Sequence, residues 1–174
     1  MDIRDAITLI KHVDYTTTPQ SIWADLGCGA GLFTYALANL LAPGSTIYAW
    51  DKGTTPLSPL PKPHHINIKP RQLDFLKNDL PVSGLDGILM ANSLHYVQDK
   101  PPFIEKVSTH LQEQGAFLIV EYETTRANPW VPYPIPFHAL KTLFHEAGFI
   151  SAVKLQERPS VYGSAQMYAA LFKR

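Results

Sequence analysis

Strand-like and helix-like segments alternate along this chain around one glycine-dense turn, and together they predict an α/β fold of the doubly wound kind. The run Ile22-Trp23-Ala24-Asp25-Leu26 leads into Gly27-Cys28-Gly29-Ala30-Gly31, and a second apolar run, Ile47-Tyr48-Ala49-Trp50, ends at Asp51. A helical pattern lies between them. Further strand-length apolar runs alternate with helical patterns to the C-terminus.

The elements follow in order. Ile3, Ala6, Ile7 and Ile10 recur at helical spacing and predict a short amphipathic helix over 2–12. The first strand is expected over 21–26, the first long helix over 31–41, closed by Pro43-Gly44, and the second strand over 46–50. Pro56, Pro59, Pro61 and Pro63 exclude a regular helix over 54–63, so a short or broken turn is expected there. The third strand falls within 65–74 and the fourth within 86–91. Asp99 and Pro101 start a helix that places Phe103, Ile104, Val107 and Leu111 on one face and ends near Gly115, before a fifth strand over 116–122. Phe137, Leu140, Leu143, Phe144 and Ala147 mark another helix, closed by Gly148. Two final strands, 151–157 and 166–172, flank a turn with Pro159 and Gly163.

Composition sets the outer limits. A chain of 174 residues is read as one domain, residues 1–174, burying roughly 70% of its unfolded surface. Fifteen basic and fifteen acidic residues cancel, and no run of Lys or Arg forms a stripe. Nucleic-acid binding by general electrostatics is therefore disfavoured. The single cysteine, Cys28, excludes an internal disulfide and a cysteine metal cage. No apolar stretch approaches the ~20 residues that cross a bilayer, and no basic-then-apolar leader opens the chain. The expectation is a soluble, cytoplasmic protein, monomer or homodimer, with no membrane partner.

The glycine turn and the two acids suit an adenosine-containing ligand. Glycines permit positive φ and leave no side chain between loop and ligand. The helix that follows offers unpaired N–H groups. Asp51 can accept both hydrogen bonds of a ribose diol. Spacing narrows the choice: a dinucleotide fingerprint has its third glycine five positions after its first, where this chain has Leu32. Asp25 would repel a pyrophosphate but suits a ligand carrying an ammonium group. S-adenosylmethionine has an ammonium, a sulfonium, a ribose diol and no phosphate, and fits better than NAD.

The run from Asp25 to Gly31 resembles the first motif of class I S-adenosylmethionine-dependent methyltransferases, and Asp51 matches that family's second-strand acid. Gln72-Leu73-Asp74-Phe75 resembles its third motif. Residues 85–96 resemble the fourth strand and the following loop, and 111–120 a helix end and fifth strand. The resemblance implies a three-layer sandwich with a seven-stranded, mostly parallel sheet and a C-terminal antiparallel hairpin. It implies methyl transfer to a small-molecule acceptor by in-line displacement, with S-adenosylmethionine as cofactor. Carried over residue by residue, the cofactor contacts are Asp25, Gly27, Cys28, Gly29, Gly31, Asp51, Lys52, Asp74, Phe75, Asn92 and Leu94. Two further readings stay open, a cofactor-binding module of the same form without turnover and an NAD-binding oxidoreductase.

Methyl transfer asks mainly for alignment and exclusion of water, since the sulfonium is already activated. A general base matters only where the acceptor must lose a proton. His95 is the candidate base, with loop capping as the alternative; an unperturbed imidazole titrates near pH 6.5, about where such a base works. Tyr96, Glu121, Trp130 and Tyr133 are candidates for the acceptor side, the last two on a connection stiffened by Pro129, Pro132, Pro134 and Pro136. The same aromatics would serve equally as loop packing, or attract a sulfonium by cation–π contact. Asn92 reads as a cofactor contact or a turn residue, Asp74 as an adenine contact or a turn cap, Tyr96 as pocket or core. Cys28 reads as a small packing residue rather than a reactive thiol. Lys52 would cover the adenine face with its stem and send its ammonium to water. His64-His65 lacks further ligands at metal spacing, so no metal is expected.

Overall fold

The computed structural model describes residues 1–17, 19–60, 63, 65–159 and 165–174. Among these, the strands are β1 (Ile22–Leu26), β2 (Thr46–Asp51), β3 (Asn67–Gln72), β4 (Leu85–Ala91), β5 (Leu111–Tyr122), β6 (Ser151–Pro159) and β7 (Gln166–Lys173). They form one sheet in the order β3-β2-β1-β4-β5-β7-β6. The first five pair in parallel, and β7 runs antiparallel to both β5 and β6. The helices are α1 (Ile3–Ile10), α2 (Val13–Thr16), α3 (Leu32–Ala38), α4 (Lys100–Ser108) and α5 (Phe137–Glu146). The three-layer, mostly parallel sheet with its C-terminal hairpin is therefore the fold the sequence predicts.

Alternation along the strands divides the core in two. On one face Ala24, Leu26, Ile88, Met90, Phe117 and Ile119 meet Phe103, Ile104 and Val107 of α4 and Leu140, Leu143 and Phe144 of α5. On the other, Trp23, Ile47, Leu89, Leu118 and Val120 meet α1 and α3 through Ala6, Leu9, Ile10, Phe33, Ala36 and Leu37. Gly87 of β4 is glycine because the Trp23 indole lies across it; a Cβ there would stand 2.3 Å from the ring. Helix α1 begins where Asp2 accepts a hydrogen bond from the Asp5 amide at 2.9 Å.

Two segments depart from a regular βαβ plan. No helix forms among the described residues of 52–66, as the prolines require, and none forms over 73–84. The edge strand β3 is left largely exposed, and it holds Pro70, which the missing N–H confines to edges. The proline segment instead folds back on the glycine turn: the Ser58 amide donates to the Ala30 carbonyl at 2.8 Å. Pro61, His64 and Gly163, named above, lie outside the described residues.

One boundary is corrected. Helix α4 ends at Ser108, and residues 111–114 open β5 rather than finish the helix. Leu111 pairs with Leu85 of β4, followed by a register shift before Gly87 meets Ala116. Gly115 permits the irregularity, since a Cβ there would stand 2.9 Å from that of Leu111 and 3.0 Å from the Gln112 carbonyl oxygen. Leu111 is buried in either arrangement, so helical periodicity could not separate them.

Candidate functional site

The strand order reverses between β1 and β4, which run parallel, and open α/β sheets hold ligands at such a switch, beyond the carboxyl ends of the strands. The glycine turn sits there. Gly27 (φ 85°) donates to the Trp50 carbonyl at 2.7 Å, and Cys28 donates to the same oxygen at 3.1 Å. A Cβ on Gly27 would stand 2.5 Å from that of Ser93, so the turn closes tightly against the end of β4. At Gly29 (φ 51°) a Cβ would meet nothing within 4 Å. One glycine makes a close approach and the other leaves open space.

Asp51 is held by its own surroundings. Its Oδ2 accepts from the Gly29 amide at 2.9 Å and its Oδ1 from the Gly53 amide at 2.8 Å. Each oxygen keeps a lone pair free for a further donor. Gly27, Cys28, Gly29, Asp51, Lys52, Asp74, Phe75, Leu76, Ala91, Asn92, Ser93 and Tyr96 line a cleft of about 330 Å³. Asp74 both borders this cleft and caps a turn, accepting from the Leu76 amide at 3.1 Å. Lys52 is exposed, and its ammonium lies 5.5 Å from the centroid of the Tyr96 ring.

Two acceptors at this turn have no partner. Asp25 is buried under the glycines, its Oδ2 taking the Thr34 hydroxyl at 2.6 Å while Oδ1 has none. Burial pushes its carboxyl up to about 7, the Thr34 bond opposes the rise, and the Asp51 charge adds to it. Asn92 has a positive φ of 54°, its amide N–H donates to Val120, and its side-chain oxygen is buried without a partner. Such orphans are uncommon in folded proteins, and each costs about 1–3 kcal/mol. The Cys28 thiol is pushed up to about 12 by burial and by Asp25 and Asp51, which leaves it protonated and inert at neutral pH.

A methyltransferase domain family model matches residues 24–117, which spans β1 through the first half of β5 and includes the whole cleft lining. The chain belongs to the methyltransferase domain family. Solved structures agree in fold at low identity. YcgJ from Bacillus subtilis is 12% identical with a TM-score of 0.72, over 98% of each chain. An S-adenosylmethionine-dependent methyltransferase from Methanosarcina mazei is 13% identical with a TM-score of 0.70, over 91% of this chain and 94% of that one. The 1,6-didemethyltoxoflavin-N1-methyltransferase of Burkholderia thailandensis, solved with 1,6-didemethyltoxoflavin and S-adenosylhomocysteine, is 16% identical with a TM-score of 0.68, over 99% and 77%. A search of curated protein sequences gives no significant match.

Asp25, buried behind the turn, and the remaining sequence-predicted residues of this methyltransferase domain stand off the cleft wall. Gly31 caps α3 in the left-handed conformation with Leu57 packed beside it, and Leu94 is fully buried. His95 and Glu121 are buried together: the His95 amide donates to Oε1 at 3.0 Å, and Nδ1 lies 2.8 Å from Oε2. The Tyr133 amide donates to the His95 carbonyl at 3.0 Å, and the Lys100 ammonium donates to the Val97 and Tyr133 carbonyls, each at 2.8 Å. Burial lowers the Lys100 pKa, against the pull of the Glu121 charge. Trp130 is 77% exposed on a turn closed by Asn128 and Val131, so it neither walls the cleft nor packs inward. Sequence reasoning missed Thr34, Ser93, Leu76 and Lys100. Only Ser93, beside Asn92 in a quoted motif, carried a signal. Among the described residues no group of His, Cys, Asp or Glu could hold a metal ion, and no helix is long and apolar enough to cross a membrane.

Proposed function

We propose that this chain binds S-adenosylmethionine in the glycine-turn cleft and transfers its methyl group to a small-molecule acceptor. One observation carries the cofactor reading: Asp25 Oδ1 and Asn92 Oδ1 are buried acceptors without donors, beside a turn whose other acid keeps two lone pairs free. An ammonium group supplies donors for the first pair and a ribose diol supplies them for Asp51. A pyrophosphate supplies none and would meet two carboxylates, which argues against NAD. The residues present fit the cofactor.

The cofactor, when bound, supplies a methyl group on a positively charged sulfur that makes it a ready leaving group. The chain supplies placement. In this reading Gly27 and Gly29 bring backbone close to the ligand, Cys28 packs inertly beside them, and Gly31 starts α3 behind the turn. Asp51 takes the ribose, Asp74 and Phe75 border the adenine, and Leu94 fixes the turn that presents Asn92. Tyr96 faces the reacting end, with Tyr133 on the adjoining loop as the acceptor side; Trp130, which points outward, is left out of it. Holding two reactants in attack geometry contributes about 7–11 kcal/mol to such a reaction. His95 serves first as support for Tyr96, its Nδ1 engaged by Glu121; it becomes a base only for an acceptor that must lose a proton. The small-molecule acceptor draws support from the Burkholderia thailandensis neighbour, which holds one.

Calorimetric titration with S-adenosylhomocysteine and with NAD tests the cofactor. Preference for the former is expected, and preference for NAD would refute the proposal. A methyl-release assay over pools of small acceptors then separates an enzyme from a binding module.

A further inference from the structure

The chemistry at the cleft mouth reaches beyond cofactor binding to discrimination between the charged cofactor and its neutral product. Lys52 follows β2 directly, and Tyr96 stands in the turn after β4. In the sheet, β1 and its glycine turn lie between those two strands, so the Lys52–Tyr96 contact crosses the cleft above the glycines. Both ends are anchored. The backbone at 51–53 is pinned by the two amides that grip Asp51. The Tyr96 ring is backed by the His95 ring at 4.4 Å, which Glu121 holds in turn. Tyr96 is nonetheless 42% exposed and borders the cleft, so it offers a fixed aromatic face to whatever lies there.

An aromatic face that attracts an ammonium attracts a sulfonium by the same quadrupole, and two cations at one face repel. Resting on the cofactor reading above, we propose that Lys52 and Tyr96 form a charge-sensing pair that sets the preference between S-adenosylmethionine and S-adenosylhomocysteine. Tyr96 favours the sulfonium. Lys52 competes for that ring and penalises the positive sulfur, while the neutral thioether of the product feels neither effect. Lys52 thereby restrains affinity for the charged form, and Tyr96 rather than Trp130 or Tyr133 is the cation-attracting ring.

Calorimetric affinities of the full chain for S-adenosylmethionine, S-adenosylhomocysteine and sinefungin, which bears an amine in place of the sulfonium methyl, test this. Lys52→Met is expected to raise the ratio of S-adenosylmethionine to S-adenosylhomocysteine affinity by roughly two- to five-fold, the scale of an exposed cation–π contact. Sinefungin should follow S-adenosylmethionine. Adding Tyr96→Leu to Lys52→Met should return the ratio, whereas Tyr96→Phe, which keeps the ring, should not. Equal shifts for all three ligands in Lys52→Met, or a falling ratio, would overturn the pair. Wild-type chain that binds none of the three would instead remove the cofactor reading on which it stands.

Discussion

The two halves of the cleft are built on opposite plans. On the β1–β2 side the backbone does most of the work, and polar atoms are left unpaired: Asp25 Oδ1 has no donor, Asp51 holds only two amides, and Gly29 faces open space. On the side formed after β4 and β5, the polar groups behind Asn92, whose Oδ1 also lacks a donor, are tied to one another. Glu121 takes both donors of His95, and Lys100 ties the Val97 and Tyr133 carbonyls. One half is prepared for a ligand. The other is a hydrogen-bonded frame that holds Tyr96 and the following loop in place, so substitutions should separate cleanly into losses of affinity and losses of stability.

Glu121→Ala should strike the frame hardest. It leaves the His95 amide and ring without an acceptor and Lys100 without its nearby negative charge. Each buried hydrogen-bonding group left without its partner costs about 1–3 kcal/mol, and Glu121→Ala strands more than one. Chemical denaturation should show that loss, and a change below about 1 kcal/mol would mean the pair is not the frame described here. Gly27→Ala comes next, because it forces alanine into φ 85° and drives a Cβ to 2.5 Å from Ser93. Roughly 2–4 kcal/mol of destabilisation is expected from backbone and contact together. Gly29→Ala has room for its Cβ, so its effect should appear in ligand affinity more than in the denaturation midpoint. Equal effects of the two alanines on stability would break the contrast.

How much of this was legible depended on what each feature is made of. The open half was readable because glycine, proline and terminal strand acids have few interchangeable substitutes: positive φ at 27, 29 and 31 favours glycine, and prolines forbid a helix over 54–63. The seven-stranded, mostly parallel sheet with its C-terminal hairpin followed from the family resemblance that these signals carry; the strand order itself came from the structure. The frame was not readable in the same way. Glu121 pairs with His95 across 26 residues of sequence, and Thr34 with Asp25 through the fold, and neither spacing has a local signature. Leu111 shows the complementary failure, since helix and strand would both bury it. Trp130 shows another: an aromatic among prolines looks like a wall, but only the closure of its turn decides that it points outward.

On the open side, Asp51→Ala should weaken S-adenosylhomocysteine binding by an order of magnitude or more, in line with about 1.5–3 kcal/mol for a charge-assisted hydrogen bond. Part of the loss would come from the Gly29 amide, which loses the acceptor that shapes the turn. Asp51→Asn keeps an acceptor for one amide and should lie between the two. Unchanged affinity in both variants would take Asp51 out of the site.

The smallest change in affinity expected is also the most specific to the unpaired acids. The Asp25 carboxyl is raised to about 7 by burial, well above its unfolded value. The folded chain therefore binds a proton that the unfolded chain has already lost, and the stability this gives is fully present below pH ~4. That stability should fall as pH rises from about 4 to 7 and level off once Asp25 is ionised in both states. Asp25→Asn should flatten this slope. Ligand binding should run the other way: an ammonium favours the ionised carboxylate, so S-adenosylhomocysteine affinity should rise a few-fold between pH 6 and 8, with a proton released on binding. Calorimetry in buffers of different ionisation enthalpy measures that release directly. A pH-independent affinity without proton release would mean that Asp25 does not face the ammonium, and the half of the cleft that looks prepared would then owe its unpaired acceptor to the packing of Thr34 alone.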